Sequence, residues 1–209
     1  MKIYNTLSKQ LEEFIPSEIC KVKIYNCGPT VYSYPHIGNF RSFLFADLLR
    51  RYLEYKGLDV IQIMNITDVG HLLADADEGE DKLEAMAKKE KKDPWYIADF
   101  YTKIFLETAE KLNLKKAKIY PRATEHIKEM ISIIEKLIEK GFAYVVNGNV
   151  YYEVAKFPNY GKLSGNTPEQ LMAGARIEPH PDKKSPHDFA LWKQDPNHIM
   201  QWESPWGKG

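Results

Sequence analysis

The chain has 209 residues, of which 44% are hydrophobic and 28% charged, with a formal net charge of +0. These are the values of a globular protein large enough to bury a core, as one domain or a domain with an insertion. They exclude a disordered chain and a broadly basic surface that grips many phosphates, and no apolar run is long enough to span a bilayer. The N-terminus lacks the apolar core of a signal peptide, and the two cysteines, Cys20 and Cys27, match no zinc or redox spacing. A cytoplasmic protein with two buried free thiols is the expectation.

Residues 1 to 21 read as a lead-in, with a short strand at Ile3–Tyr4 and a turn at Pro16-Ser17. Val22 to Cys27 is rich in β-formers and reads as a buried strand. From Phe40 to Lys56, Phe40, Phe43, Leu44, Leu48, Tyr52 and Leu53 recur at helical spacing, and Gly57 stands where a left-handed cap is expected. Asp59 to Met64 is a second strand. Strand, helix and strand in so short a span make a parallel βαβ unit.

His71 to Lys92 is strongly charged. Asp75, Asp77, Glu78, Glu80 and Asp81 do not fit the glycine position or length of a calcium loop, and read as a solvated acidic turn before a helix. Asp93-Pro94 is a cap followed by proline at the first helical position, predicting a helix to about Leu112. A further helix is predicted from Thr124, with Ile127, Met130, Ile131, Ile134, Leu137 and Ile138 inward and Gly141 closing it. Asn147-Gly148 between β-rich runs predicts a hairpin. Seven of the twelve prolines and three of the four tryptophans fall after Ala155, which reads as ordered irregular chain pinned by aromatics.

Ligands of parallel sheets bind beyond the carboxyl ends of the strands. Cys27-Gly28-Pro29-Thr30 follows the first strand and Asn65-Ile66-Thr67-Asp68 the second, so both clusters fall on one edge, beside His36-Ile37-Gly38-Asn39 at the helix entry. A helix N-terminus offers unpaired N–H groups and partial positive charge. Gly38 opens space for a nucleotide, and His36 and Asn39 can donate to phosphate oxygens. On these four residues alone, an ordinary helix entry with a surface histidine is the preferred reading. Thr67 and Asp68 read either as turn and cap residues or as substrate contacts.

The ordered set Asn26-Cys27-Gly28-Pro29-Thr30-Val31-Tyr32, His36–Asn39, Arg41, Asn65–Asp68, Tyr120–Thr124, Tyr160–Ser164, Ala173–Arg176, Asp188–Lys193 and Ser204–Gly207 resembles the cysteinyl-tRNA synthetases over essentially the whole chain. The resemblance implies an α/β protein: the first half of a Rossmann-like class I synthetase nucleotide-binding fold, with an inserted helical and hairpin connective region. It places residues 1–70 in the first half of the catalytic domain and 71–209 in the connective insertion and a Pro/Trp-rich segment. It implies activation of cysteine by ATP and Mg2+ and transfer to tRNA-Cys. His36 and Asn39 would be catalytic and, with Gly38, would bind ATP. Gly28, Thr30, Thr67 and Asp68 would bind substrate, and Cys27 would be a Zn2+ ligand. Zinc on a thiolate suits the discrimination of cysteine from serine, because it exploits the softness of sulfur.

Two departures accompany the resemblance. Asn39 stands where the commoner signature has histidine. The sequence stops before the family's G-W-H-I-E-C stretch, further zinc ligands, mobile lysine loop and anticodon-binding domain. The expectation is therefore an N-terminal portion that is inactive alone and that self-associates or needs a complementary fragment, since half a sheet leaves an open edge. A non-catalytic relative binding nucleotide or tRNA, a ligase joining cysteine to an amino sugar, and a nucleotidyltransferase are the alternative readings.

Overall fold

The computed structural model describes residues 1–70, 81–166 and 181–209. The greater part of the acidic segment, residues 75–80, and the Ala173–Arg176 motif lie outside the described residues. The chain divides into two compact units, each taken here by itself.

The first unit comprises residues 15–70 and 81–126 of the described chain. Its centre is the parallel pair β3 (Lys21–Asn26) and β4 (Asp59–Met64), in register from Lys21 opposite Asp59 to Asn26 opposite Met64. Between them runs α1 (Ile37–Tyr55), ended by Gly57 at φ +83°. This is the expected βαβ unit. The helix begins three residues earlier than its apolar period, because His36 caps it.

The unit extends beyond this. After α2 (Lys82–Glu90) and α3 (Pro94–Lys111) the chain returns beside β4. Met64 N–H donates to Ile119 O and Ile66 N–H to Pro121 O, with parallel bridges Ile63–Ile119 and Ile66–Arg122. A third parallel segment thus lies on the far side of β4. The compact unit does not end near residue 70: α2, α3 and residues 117–122 belong with the sheet. The reason is packing. Phe105 of α3 is 1% exposed and sits against Phe40 and Phe43 of α1, at ring-centroid distances of 5.9 and 5.2 Å.

Asp93 caps α3 through Trp95 N–H at 2.7 Å, with Pro94 at its first position. Asp81 caps α2 through Leu83 and Glu84 N–H.

Three expectations are corrected in this unit. β3 is not a buried strand: Val22 alone is buried and Tyr25 is 64% exposed, because among the described residues β3 pairs on one side only. The predicted inward set of α1 is split. Phe40, Phe43 and Leu53 are buried, whereas Leu44, Leu48 and Tyr52 join Phe45 and Tyr55 on an exposed apolar face. Cys20 and Cys27 are both exposed, not buried thiols.

The second unit holds residues 1–14, 127–166 and 181–209 of the described chain. It contains the antiparallel pair β1 (Lys2–Asn5) and β2 (Gln10–Glu13), the helix α4 (Ile127–Glu139), and the sheet β5 (Ala143–Val146), β6 (Asn149–Tyr152) and β7 (Phe189–Trp192). Asn147 and Gly148 have φ +50° and +80°, the two left-handed positions that an Asn-Gly hairpin turn requires. Ile134, Ala143, Val150 and Trp192 form a buried cluster that Trp202 and Trp206 cover, so the proline- and tryptophan-rich chain is pinned as its composition suggests. Residues 123–126 form a 3-10 turn, not the start of α4, and Met130 is 40% exposed.

Phe105→Ala removes a ring shared by α1 and α3 and is expected to cost about 3–5 kcal/mol. Urea unfolding should show this as a lower midpoint with little change in slope.

Candidate active site

The parallel register fixes what stands at the carboxyl edge. The bonding continues past the strands: Val31 N–H donates to Thr67 O at 3.1 Å and Thr67 N–H to Pro29 O at 3.0 Å. Gly28 N–H donates to Asn65 Oδ1 at 3.0 Å. A Cβ at Gly28 would lie 1.7 Å from Asn65 O, so only glycine lets the two loops meet here. Asn65 holds the other end through its amide, donating to Thr67 Oγ1 at 3.0 Å, and accepts from Tyr25 Oη.

The joined loops wall a hollow of about 270 Å³ whose lining includes Cys27, Gly28, Thr30, His36 and Asn39. Five of the predicted residues therefore share one space. Gly38, Thr67 and Asp68 are not among the residues that line it.

The helix entry shows how two polar side chains are prepared. His36 Nδ1 accepts from Gly38 N–H at 3.1 Å, and Asn39 Oδ1 accepts from His36 N–H at 3.1 Å. A neutral imidazole that accepts at Nδ1 carries its proton on Nε2. His36 thus keeps an Nε2–H donor and Asn39 an NH2 donor. Asn39 fills the place of histidine with an oxygen for the cap and a donor to spare. A Cβ at Gly38 would fall 2.8 Å from the His36 ring. The bare glycine leaves room for the imidazole to fold over the helix start.

Asp68 has a separate task. It is 1% exposed and accepts from Arg122 Nε at 2.9 Å, Thr124 N–H at 3.0 Å and Thr124 Oγ1 at 2.7 Å. Arg122 reaches on to Asp99 at 2.6 Å. The Asn65–Asp68 and Tyr120–Thr124 motifs are the two halves of one ionic lock beneath the carboxyl edge, buried at Asp68 and partly open at Arg122.

Residue-type reasoning passed over Tyr34, Ser42, Lys82 and Tyr101, which also line the hollow. The serine-tyrosine pair at 33–34 and the aromatic spacing of α3 are their signals in the sequence. Burial, and then a 2.8 Å bond to Glu90, push the Tyr101 hydroxyl up to about 12. Among the described residues no three His, Cys, Asp or Glu side chains come close enough to hold a metal ion. Cys27 alone does not fit a complete zinc site.

A family model of the tRNA synthetases class I (C) catalytic domain matches residues 13–209. The chain belongs to that family. Similar curated proteins are cysteine–tRNA ligases. That of Treponema denticola is 47% identical over 212 residues, covering 100% of this chain and 43% of the relative. That of Pyrococcus horikoshii is 49% identical over 209 residues, covering 100% and 42%. One from Thermus thermophilus is 50% identical over 208 residues, covering 99% and 43%. The chain spans about two fifths of the length of these relatives. Its parallel strands and helices are the Rossmann-like half of the class I synthetase catalytic domain.

Asp68→Ala removes the acceptor shared by Arg122 and Thr124, leaving Arg122 its pair with Asp99, and is expected to cost about 1–3 kcal/mol, read as a lower urea midpoint. Alkaline titration followed at 295 nm should show Tyr101 ionising near pH 12, after most of the thirteen tyrosines. Because its folded pKa is raised, its contribution to stability is complete below about pH 10 and is lost as the pH rises toward 12. Tyr101→Phe should flatten that part of the stability profile.

Proposed function

We propose that this chain carries the ATP- and cysteine-binding portion of a cysteine–tRNA ligase. The observation that carries the reading is the shared hollow: an exposed thiol at the end of β3 and the two prepared donors of the α1 entry line the same space. A thiol amino acid and a triphosphate are the reactants that such a pair suits.

In this reading His36 Nε2–H and Asn39 NH2 hold phosphate oxygens of ATP, and the partial positive charge of the α1 N-terminus adds to them. Gly28 and Thr30 flank the cysteine. The cysteine carboxylate attacks the α-phosphorus, forming the C–O–P mixed anhydride as the α,β-phosphoanhydride bond breaks and pyrophosphate leaves. A ribose hydroxyl of tRNA-Cys then attacks the carbonyl carbon and AMP departs. His36 and Asn39 act by stabilising charge that develops on the transferring phosphoryl group. Thr67 acts through the loop it ties to Pro29 and Val31, and Asp68 through Arg122 and Thr124. Magnesium enters with the nucleotide as its counter-ion. Zinc would supply a thiophilic Lewis acid for the substrate thiolate, but among the described residues Cys27 has no companion donors to hold it.

The proposed location is the cytoplasm, where a ligase that charges tRNA meets its substrate; among the described residues no helix is long and apolar enough to cross a membrane. The exposed Leu44, Phe45, Leu48, Tyr52 and Tyr55 of α1 and the side of β3 left unpaired among the described residues favour a covering surface. That surface is a second copy or a complementary fragment.

Pyrophosphate exchange in a protein of the relatives' length tests the reading. His36→Ala should lower exchange by about 100-fold, and Asn39→Ala should slow it more than it weakens cysteine binding. Exchange unchanged in both variants would refute the assignment. The 209-residue chain should sediment as more than a monomer, and Phe45→Lys with Leu48→Lys should return it to monomer. A monodisperse monomer before substitution counts against the covered α1 face.

A further inference from the structure

The hollow is rich in hydrogen-bond donors and poor in charge. His36 and Asn39 present an imidazole Nε2–H and an amide NH2. Among the described residues that line the space there is no aspartate, glutamate or arginine, and Lys82 is the one formal cation. A nucleoside triphosphate brings several negative charges into such a space. Magnesium takes up part of them, and the start of α1 contributes roughly half a unit of positive charge. The remainder calls for a cation from the protein.

Lys82 reaches the hollow from outside the βαβ unit. It is the first residue of α2, and its Nζ stands over the Tyr32 ring at 5.8 Å. Tyr32 lines the same hollow, on the loop between β3 and α1. A cation–π contact of this kind holds an ammonium at the wall without neutralising it. The backbone beneath it is fixed on both sides. Asp81 is 2% exposed and accepts from Leu83 N–H at 2.8 Å and Glu84 N–H at 3.1 Å, and Leu83 is itself 2% exposed.

Helix chemistry does not ask for a lysine at this position. A cation in the first turn stands against the helix dipole, whereas Lys88 and Lys89 occupy the last turn of the same helix, where the dipole favours them. A residue placed against the local preference and on the wall of a polar hollow is a candidate for binding.

We propose that Lys82 is a phosphate-binding residue of the hollow, its ammonium pairing with the phosphate chain of ATP beside the donors of His36 and Asn39. This rests on the reading of the hollow as the ATP and cysteine site, and deepens it by naming the residue that answers the net charge of the nucleotide. Lysine suits the task as a compact point charge with three donors on a flexible stem, able to stay with phosphate oxygens as they shift.

The test measures binding of Mg-ATP and of adenosine to the 209-residue chain by titration calorimetry. Lys82→Met should weaken ATP binding by roughly 10- to 100-fold, the worth of a charge-assisted hydrogen bond, and leave adenosine binding unchanged. The loss should shrink as ionic strength rises. Lys82→Arg keeps the charge and should retain most of the affinity. Methionine keeps an unbranched stem over Tyr32 and is a good helix former, so the Lys82→Met melting temperature should stay within a few degrees of the unaltered chain.

The two ligands separate the possible failures. ATP binding unchanged in Lys82→Met overturns the role of Lys82 and leaves the hollow as the nucleotide site. Equal losses for ATP and adenosine would make Lys82 a packing residue, and overturn its role as well. If the unaltered chain binds neither ligand, the reading of the hollow falls and the role of Lys82 with it.

Discussion

The parallel pairing of β3 with β4 is the constraint on which the site depends. Six residue pairs in register bring Asn26 level with Met64, and the bonds that follow bring the loop at 28–31 against the loop at 65–67. Parallel strands need a crossover between them, and α1 is that crossover. Its first turn must return to the edge where β3 ends. Cys27 and His36 are nine positions apart in sequence and share a hollow because the chain leaves the strand and enters the helix at one edge. A slip of one residue in the register would turn the buried side chains of β4 outward and separate the loops.

Beneath that edge the molecule uses charge where it could have used apolar packing. Asp68 is buried, and the partly buried Arg122 and Thr124 supply its three donors. An ion pair with one member buried does little for net stability compared with a well-packed apolar substitute. What the lock does is fix position. It joins the segment after β4 to the third parallel segment, so the floor of the site is held from both sides.

Much of this was legible in the sequence where local rules act alone. Asp93-Pro94, Asn147-Gly148 and Gly57 declare a helix start, a hairpin and a helix end through their own backbone preferences. The βαβ unit followed from alternating patterns, and Cys27, Gly28, Thr30, His36 and Asn39 followed from topology. What depended on tertiary context was hidden. No periodicity says that residues 117–122 pair with β4, because that segment is short and interrupted by Pro121. The α1 face divides into buried and exposed halves that hydropathy does not distinguish. The task of Gly38 is set by where the His36 ring lies, and that of Asp68 by two residues more than fifty positions away. The tyrosines of the hollow come from two distant segments, and only the fold brings them together.

The most direct measurement is photo-crosslinking with 8-azido-ATP, followed by peptide mapping of the labelled residues. The account predicts labels confined to the peptides that wall the hollow, between Cys27 and Phe43 and around Lys82 and Tyr101, suppressed by unlabelled ATP and absent in Gly28→Val. Competed labelling within residues 127–209, or labelling that Gly28→Val leaves intact, would contradict it.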